Sequence, residues 1–115
     1  MNTNQLLNYL ELENLSTPNI RITGGKIDSR KITEGEIFFA YKGNNIDGNK
    51  FIDHAFNNGA SIVFTSDKSH VKNNRIIFVK NVTNCLLKVA EFWISHFTPI
   101  KIAITGSNGK TTLKE

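Results

Sequence analysis

Residues 36–65 read EIFFAYKGNNIDGNKFIDHAFNNGASIVFT and set the fold class. Apolar runs at residues 36–41 and 61–65 open and close this stretch, and each has the length and composition of a buried strand. Between them lies a polar loop that contains glycine, and then apolar residues at helical spacing. Asn58-Gly59 supplies a left-handed helix end. A strand, a helix and a strand in this order predict an α/β domain.

The residues before this stretch predict one helix and two short extended segments. Leucines at helical spacing, with Thr3 placed as the cap, predict a helix near residues 3–13. Extended segments are predicted at residues 20–23 and 26–29, and Gly24-Gly25 is predicted to turn the chain between them.

The residues after it predict a strand at 75–79, a long helix, and a further strand at 100–105. An apolar stripe from Leu86 to Phe97, which includes Trp93 and Ile94, marks the helix that Pro99 ends. Cys85 belongs to the same apolar pattern and is predicted to be a buried, inert thiol. The last predicted strand leads into a glycine-bearing loop at residues 105–112. We therefore expect residues 1–98 to form one domain and residues 99–115 to begin another.

That loop reads TGSNGKTT at residues 105–112 and has the chemistry of a phosphate-binding loop. Its glycines would let backbone N–H groups point at phosphate oxygens, and Lys110 would reach the β- and γ-phosphates. Thr111 would offer its hydroxyl to Mg²⁺. Only two residues separate the glycines, so the common GxxxxGK[ST] spacing is not matched, and a chance turn ending in Lys-Thr-Thr is the alternative. The predicted nucleotide-binding residues are Gly106, Ser107, Asn108, Gly109, Lys110, Thr111 and Thr112.

The composition indicates an ordinary globular protein. Of 115 residues, 39% are hydrophobic and 21% are charged, which argues against disorder. The formal charge of +4 is spread along the chain, so we expect a solvated surface and no nucleic-acid partner. Charged residues and a proline interrupt the most apolar stretch, so no membrane span is expected. The N-terminus lacks the pattern of a signal peptide, and we expect a cytoplasmic location.

Four motifs together resemble the Mur ligase family. The shortened phosphate loop is similar to that family's T-G-[TS]-x-G-K-[TS] pattern. Asp28-Ser29-Arg30 resembles its D-S-R signature, and Gly35–Ala40 (GEIFFA) resembles its G-[DE]-[LI]-F-[FV]-A strand. Residues 47–60 (DGNKFIDHAFNNGA) resemble D-G-H-x-F-[IV]-x-x-A-x-x-x-G-A, with Asn49 where the family often has histidine. The order and the intervals match across roughly residues 20–115.

The resemblance implies a small mixed-sheet domain that binds the UDP part of a muramyl substrate, followed by the start of an ATP-binding domain. The substrate-binding residues that it implies are Asp28, Ser29, Arg30, Asp47, Gly48 and Asn49. Asp28 and Arg30 have a structural alternative as an ion pair that braces the loop, and Gly48 has one as a turn residue. His54, His70 and His96 show no zinc-binding spacing with Cys85 and are interpreted as surface or core histidines.

The resemblance further implies an ATP-dependent ligase of peptidoglycan synthesis that requires Mg²⁺, acts through an acyl phosphate with Lys110 as the catalytic residue, and is a monomer. Thr111–Glu115 (TTLKE) resembles the member that joins D-alanyl-D-alanine to UDP-N-acetylmuramoyl-tripeptide. The alternatives are the member that adds the third amino acid and a non-catalytic module that binds a UDP-sugar. The isolated chain is expected to be inactive.

Overall fold

The computed structural model describes residues 1–12 and 16–97. Two kinds of regular element alternate along this part of the chain. In order, they are α1 (Thr3–Tyr9), β1 (Gly24–Lys26), β2 (Glu36–Ala40), α2 (Ile52–Asn57), β3 (Ile62–Thr65), β4 (Ile76–Phe78) and α3 (Val82–Phe97). Short 3₁₀ turns at Ser29–Lys31, Gly48–Phe51 and Lys68–His70 follow the first three strands. The α/β class predicted from the sequence is confirmed.

Within the described residues, the strands form one sheet in the order β1-β2-β3-β4 and all pairs are parallel. Gly25 pairs with Ile37, and Phe38 pairs with Val63. The prediction of a mixed sheet is therefore wrong for this part of the chain. The physical reason is that each connection carries the chain back to the same edge before the next strand begins, which is what parallel pairing requires.

Both faces of the sheet are covered, which explains why all five residues of β2 are buried. Side chains of a strand alternate between faces, so Ile37 and Phe39 point to one side and Phe38 and Ala40 to the other. The first side packs against α1 and α3, where Leu6, Leu7, Val82, Cys85 and Val89 are buried. The second side packs against α2 through Ile52 and Ala55.

Helix α1 is shorter than predicted, and its cap is Asn2 rather than Thr3. The side chain of Asn2 accepts a hydrogen bond from the amide of Gln5 at 2.9 Å, and the Gln5 side chain accepts one from the amide of Asn2. Thr3 is buried instead, and its hydroxyl donates to the carbonyl of Pro18 at 2.7 Å. The chain leaves the helix after Tyr9, and Glu11 has a φ of 60°.

Gly24-Gly25 forms most of β1, so the predicted turn at this position is wrong, and neither predicted extended segment is the first strand. The two glycines leave room for side chains of the neighbouring strand. A Cβ on Gly25 would lie 2.8 Å from the Phe39 ring, and one on Gly24 would lie 2.9 Å from a carboxylate oxygen of Glu36. Side chains of β2 therefore occupy the space that side chains at Gly24 and Gly25 would need.

Helix α3 presents Val82, Cys85 and Val89 to the core. The predicted stripe is therefore only partly right, because Val89 is buried but Leu86 and Trp93 are half-buried and Ile94 is 59% exposed. The predicted strand at 100–105 and the helix end at Pro99 lie outside the described residues. None of the described helices combines the length and the apolar character needed to cross a membrane.

Candidate functional site

A cavity of about 530 Å³ opens where β1 and β2 end. Because the strands are parallel, their carboxyl ends lie at the same edge of the sheet, which is where open α/β sheets bind ligands. The volume lies within the range of small-molecule sites. The cavity is larger than a groove of about 380 Å³ between β1 and α3. Its lining residues are Ile27, Asp28, Ser29, Arg30, Phe38, Tyr41, Ile46, Gly48, Phe51 and His54.

The segment after β1 forms one wall, and Asp28 holds its shape. Asp28 caps the 3₁₀ turn at Ser29–Lys31 by accepting from the amide of Arg30 at 3.0 Å. Its carboxylate also accepts from Nε and Nη2 of Arg30, at 3.1 and 2.9 Å. The Arg30 side-chain hydrogen bonds, together with the amide bond, lower the pKa of Asp28 to about 2. The carboxylate is thus charged at neutral pH and serves the loop, in agreement with the structural alternative for this residue.

Arg30 remains able to bind an anion despite this ion pair. Its side chain is 80% exposed. The pair occupies two of the five N–H groups of the guanidinium, and the other three have no partner among the described residues. The neighbouring carboxylate reduces the net positive charge at this point, so attraction to an anion would depend on directed hydrogen bonds as well as on charge.

Ser29 lies at the base of this wall and is 5% exposed. Its Oγ lies 2.9 Å from Nδ1 of His54, a residue of α2. The Asn58 side chain, one turn further along, donates to the carbonyl oxygen of Ser29 at 2.9 Å and lies 3.5 Å from Nε2 of His54. Ser29, His54 and Asn58 therefore form a connected polar group at the cavity wall.

The loop after β2 forms the opposite wall. Of the three substrate-binding residues predicted in this loop, only one lines the cavity. Gly48 lines the cavity, but Asp47 and Asn49 do not. Asp47 caps the 3₁₀ turn at Gly48–Phe51 by accepting from the amide and the side chain of Asn49, both at 3.0 Å. Asn49 is 5% exposed and accepts a hydrogen bond from the hydroxyl of Thr65. These two side chains shape the loop rather than face the cavity.

Apolar side chains supply most of the remaining surface. Phe38 is buried at the floor, while Tyr41, Phe51 and Ile46 are 45%, 46% and 64% exposed. None of these four residues was predicted to bind substrate. Phe38 and Phe51 lie at motif positions, but an apolar side chain offers no polar chemistry that would mark it as a contact. His54 was predicted to be an ordinary surface or core histidine. The available signal was the i, i+4 spacing of His54 and Asn58, which places both on one face of a helix.

The predicted nucleotide loop, residues 106–112, lies outside the described residues, and so do Lys110 and Thr111. The structure therefore contains no geometry for ATP or Mg²⁺. In residues 1–12 and 16–97, no three His, Cys, Asp or Glu side chains come together as a metal site.

Residues 21–97, which include the whole sheet and both cavity walls, match the family model described as "Mur ligase family, catalytic domain". The chain belongs to the Mur ligase family. The resemblance found in the sequence motifs is thus confirmed. The match includes the D-S-R and D-G-N segments, and it ends before the predicted phosphate loop.

Curated relatives carry two different ligase names. A UDP-N-acetylmuramoyl-L-alanyl-D-glutamate–2,6-diaminopimelate ligase from Rickettsia prowazekii is 39% identical to this chain. The match covers 83% of this chain and 20% of the relative. A UDP-N-acetylmuramoyl-tripeptide–D-alanyl-D-alanine ligase from Haemophilus influenzae is 30% identical over 100% of this chain and 25% of its own length. The chain spans about a fifth to a quarter of the length of these relatives.

Solved structures give the same fold. MurF ligase from Thermotoga maritima, in complex with ADP, superimposes with a TM-score of 0.57 at 33% identity, covering 68% of this chain and 18% of its own. A MurF structure from Acinetobacter baumannii has a TM-score of 0.62 at 17% identity, over 81% of this chain and 21% of its own. The second likeness bears on the fold alone.

Proposed function

We propose that the chain is the substrate-binding part of a Mur ligase of peptidoglycan synthesis, and that its cavity holds the UDP part of a UDP-N-acetylmuramoyl peptide. The observation that carries the proposal is the position of Ser29, Arg30 and Gly48, three residues of the family signatures, around one cavity at the carboxyl edge of the sheet. Signature residues kept only for folding would have no reason to line a common opening.

The lining offers complementary contacts for each part of such a ligand. Ser29 would hydrogen-bond a carbonyl or phosphate oxygen, and the free N–H groups of Arg30 would bind the diphosphate. Phe51, Ile46 and Tyr41 would cover the flat faces of the uracil and ribose, since aromatic and aliphatic walls with a few polar groups are typical of nucleotide-sized sites. Asp28, Asp47 and Asn49 would act through the shape of the two loops.

The chemical step is assigned to residues beyond the described part. Gly106–Thr112 would hold ATP, with Lys110 stabilising its charge and Thr111 on Mg²⁺. ATP would supply the activation of the substrate carboxylate as an acyl phosphate. Residues 1–98 would then be the substrate-binding domain, and residues 99–115 the start of the ATP-binding domain.

Of the two ligase names, we favour D-alanyl-D-alanine as the incoming amine and UDP-N-acetylmuramoyl-tripeptide as its acceptor. The support is Thr111–Glu115, which resembles that member of the family, and the Haemophilus relative, whose match extends over the whole chain.

The second candidate is the ligase that adds the third amino acid. It is favoured by the Rickettsia relatives, whose identity reaches 39%, above that of the Haemophilus D-alanyl-D-alanine ligase. A non-catalytic module that binds a UDP-sugar would share the cavity but would show no activity with ATP.

Binding is tested by NMR titration of the chain with UDP-N-acetylmuramoyl-tripeptide, with UDP and ATP as separate ligands. We expect saturable shifts at Ser29, Arg30 and Gly48 with the first two. Folded protein with no shift at these residues would contradict the proposed cavity.

Activity is tested on the proposed full-length ligase by phosphate release and product mass. Turnover with the tripeptide and D-alanyl-D-alanine supports the favoured assignment. Turnover only with UDP-N-acetylmuramoyl-L-alanyl-D-glutamate and 2,6-diaminopimelate supports the second candidate. Tight binding without turnover in either mixture supports the binding module.

A further inference from the structure

We infer that Asn58 and His54 are positioning residues that fix the direction of the Ser29 hydroxyl, so that its proton is free for a ligand in the cavity. Both residues lie within the motif at residues 47–60, but at positions where its pattern specifies no residue type. The hydrogen-bond directions are inferred from the partner atoms of Asn58 and His54, and their use in substrate binding rests on the proposed function.

The carbonyl oxygen of Ser29 determines the orientation of the Asn58 side chain. A backbone carbonyl can only accept hydrogen bonds. Because the terminal atom of the Asn58 side chain lies 2.9 Å from that oxygen, it must be the amide nitrogen; an oxygen there would face another acceptor. The orientation of the Asn58 amide, which is often ambiguous, is therefore determined by its neighbour.

The next step determines the tautomer of His54. The Asn58 nitrogen carries two N–H groups, one used by the Ser29 carbonyl, and it lies 3.5 Å from Nε2 of His54. Since Asn58 offers only donors on this side, the tautomer that makes use of this contact has Nε2 as the acceptor. In a neutral imidazole the other nitrogen then carries the proton, so Nδ1 is the donor.

The last step sets the role of Ser29. Nδ1 of His54 lies 2.9 Å from Oγ of Ser29, so the N–H donates and the hydroxyl oxygen accepts. The hydroxyl proton therefore has no acceptor among the described residues. Because Ser29 lines the cavity, this proton is available to a carbonyl or phosphate oxygen of a bound nucleotide. In the opposite tautomer, Nδ1 of His54 would accept the Ser29 hydroxyl proton. A ligand oxygen in the cavity would then receive no hydrogen bond from Ser29.

Two members of this polar group lie at the protein surface. His54 and Asn58 are both exposed, so their substitution removes little buried surface. Variants at either position are therefore expected to fold, and changes in ligand affinity can be interpreted directly.

The tautomer is tested first, without any ligand. A long-range ¹H–¹⁵N spectrum, recorded at rising pH until the imidazole signals stop changing, reports which nitrogen of His54 carries the proton. We expect the Nδ1–H form in the native chain. Asn58→Asp has nearly the same shape but offers an acceptor, so the signal should move toward the Nε2–H form. His70→Gln, in the 3₁₀ turn that follows β3, is the control and should leave the His54 signals unchanged. A native Nε2–H form, or no response to Asn58→Asp, would overturn the inference.

The use of the hydroxyl is tested by the affinity for UDP-N-acetylmuramoyl-tripeptide. Ser29→Ala and His54→Leu should each weaken binding roughly threefold to tenfold, the effect of one neutral hydrogen bond. His54→Gln, whose amide can both donate and accept, should restore most of it. In the Ser29→Ala background, His54→Leu should add almost nothing, because His54 acts through Ser29. Equal losses in both backgrounds would refute the coupling. If the native chain shows the Nδ1–H form but binds no nucleotide sugar, the hydrogen-bond directions stand and the proposed function fails.

Discussion

Gly48 lies directly against the backbone of Tyr41, and this contact closes the loop that forms one wall of the cavity. The amide of Gly48 donates to the carbonyl oxygen of Tyr41 at 2.8 Å. A Cβ on Gly48 would lie 2.8 Å from the same oxygen and 2.9 Å from the Tyr41 nitrogen. Both neighbours are backbone atoms, so they cannot rotate away. Glycine is required here by the close approach of two chain segments.

Gly48→Ala should therefore destabilise the fold by about 1–3 kcal/mol, as expected for overpacking, and should weaken nucleotide binding as the wall moves. Urea denaturation measures the first effect and titration the second. The matched control is Gly43→Ala in the same loop, where the atoms nearest to the new Cβ belong to the exposed ring of Tyr41 rather than to the backbone. Equal stability losses for the two variants would contradict the explanation.

Asn49 and Thr65 should be energetically coupled, because the Thr65 hydroxyl donates to the buried Asn49 side chain. Asn49→Ala and Thr65→Val each leave a polar partner unsatisfied, which costs about 1–3 kcal/mol. The double variant should lose less than the sum, with a coupling of roughly 0.5–3 kcal/mol in denaturation experiments. Strict additivity would show that the bond contributes nothing to stability.

Glu36 should contribute stability that depends on pH. It is 6% exposed, accepts from the amide of Thr33 at 2.8 Å and pairs with Lys26. Burial raises its pKa, but the hydrogen bonds from Lys26 and Thr33 outweigh burial, and the net pKa is lowered. Its contribution is therefore complete above the unfolded-state pKa of about 4.3 and is lost as the pH falls through the folded-state value.

Glu36→Gln should accordingly flatten the loss of stability below about pH 4, because the amide does not titrate. Glu36→Ala should cost about 1–3 kcal/mol at neutral pH, since it leaves the amide of Thr33 without its partner. Thermal denaturation across the pH range measures both. An unchanged acid profile in Glu36→Gln would contradict the role assigned to this carboxylate.

Cys85 should be unreactive toward thiol reagents while the protein is folded. It is 6% exposed on α3, and burial raises its pKa to about 12, although Lys88 opposes part of the shift. At pH 8 only about one molecule in ten thousand would carry the reactive thiolate. A disulfide reagent should modify the thiol rapidly in urea and very slowly without it. Fast modification of native protein would contradict the buried location.

Lys110→Ala in the proposed full-length ligase should abolish turnover while leaving binding of UDP-N-acetylmuramoyl-tripeptide intact. The reason is that Lys110 is assigned to ATP phosphates, whereas the muramyl nucleotide is assigned to the cavity at Ser29 and Arg30. Phosphate release and calorimetric titration separate the two effects. Lys88→Ala, on α3, is the control for loss of a lysine elsewhere, and unchanged turnover in Lys110→Ala would refute the phosphate-loop assignment.

The strands of the core could be predicted from the sequence because burial on both faces favours short runs that are mostly apolar. EIFFA and IVFT are such runs, and β2 and β3 lie within the predicted bounds. β1 escaped prediction because glycine usually marks a turn, whereas Gly24 and Gly25 make room for Glu36 and Phe39 of the next strand. That requirement comes from packing between strands, so the residues next to Gly24 and Gly25 in the sequence do not indicate it.

Polar residues of the cavity could be predicted only where they belong to a family motif. Ser29, Arg30 and Gly48 are part of signatures and line the opening, but Asn49 is in a signature and turns inward to Thr65. The role of His54 depends on Asn58, four residues away, and on Ser29, 25 residues away in the sequence. A relation across that distance is created by the fold and has no spacing rule that would reveal it.

The strands occupy the sheet in the same order as they occur in the chain. No strand has to insert between two that are already paired, so the sheet can grow from one edge during synthesis. A ribosome adds about 5–20 residues per second, and every residue that lines the cavity precedes β3. The proposed nucleotide-binding wall would therefore leave the exit tunnel before β3 and β4, and α3, the last of the described elements, would follow to cover the opposite face.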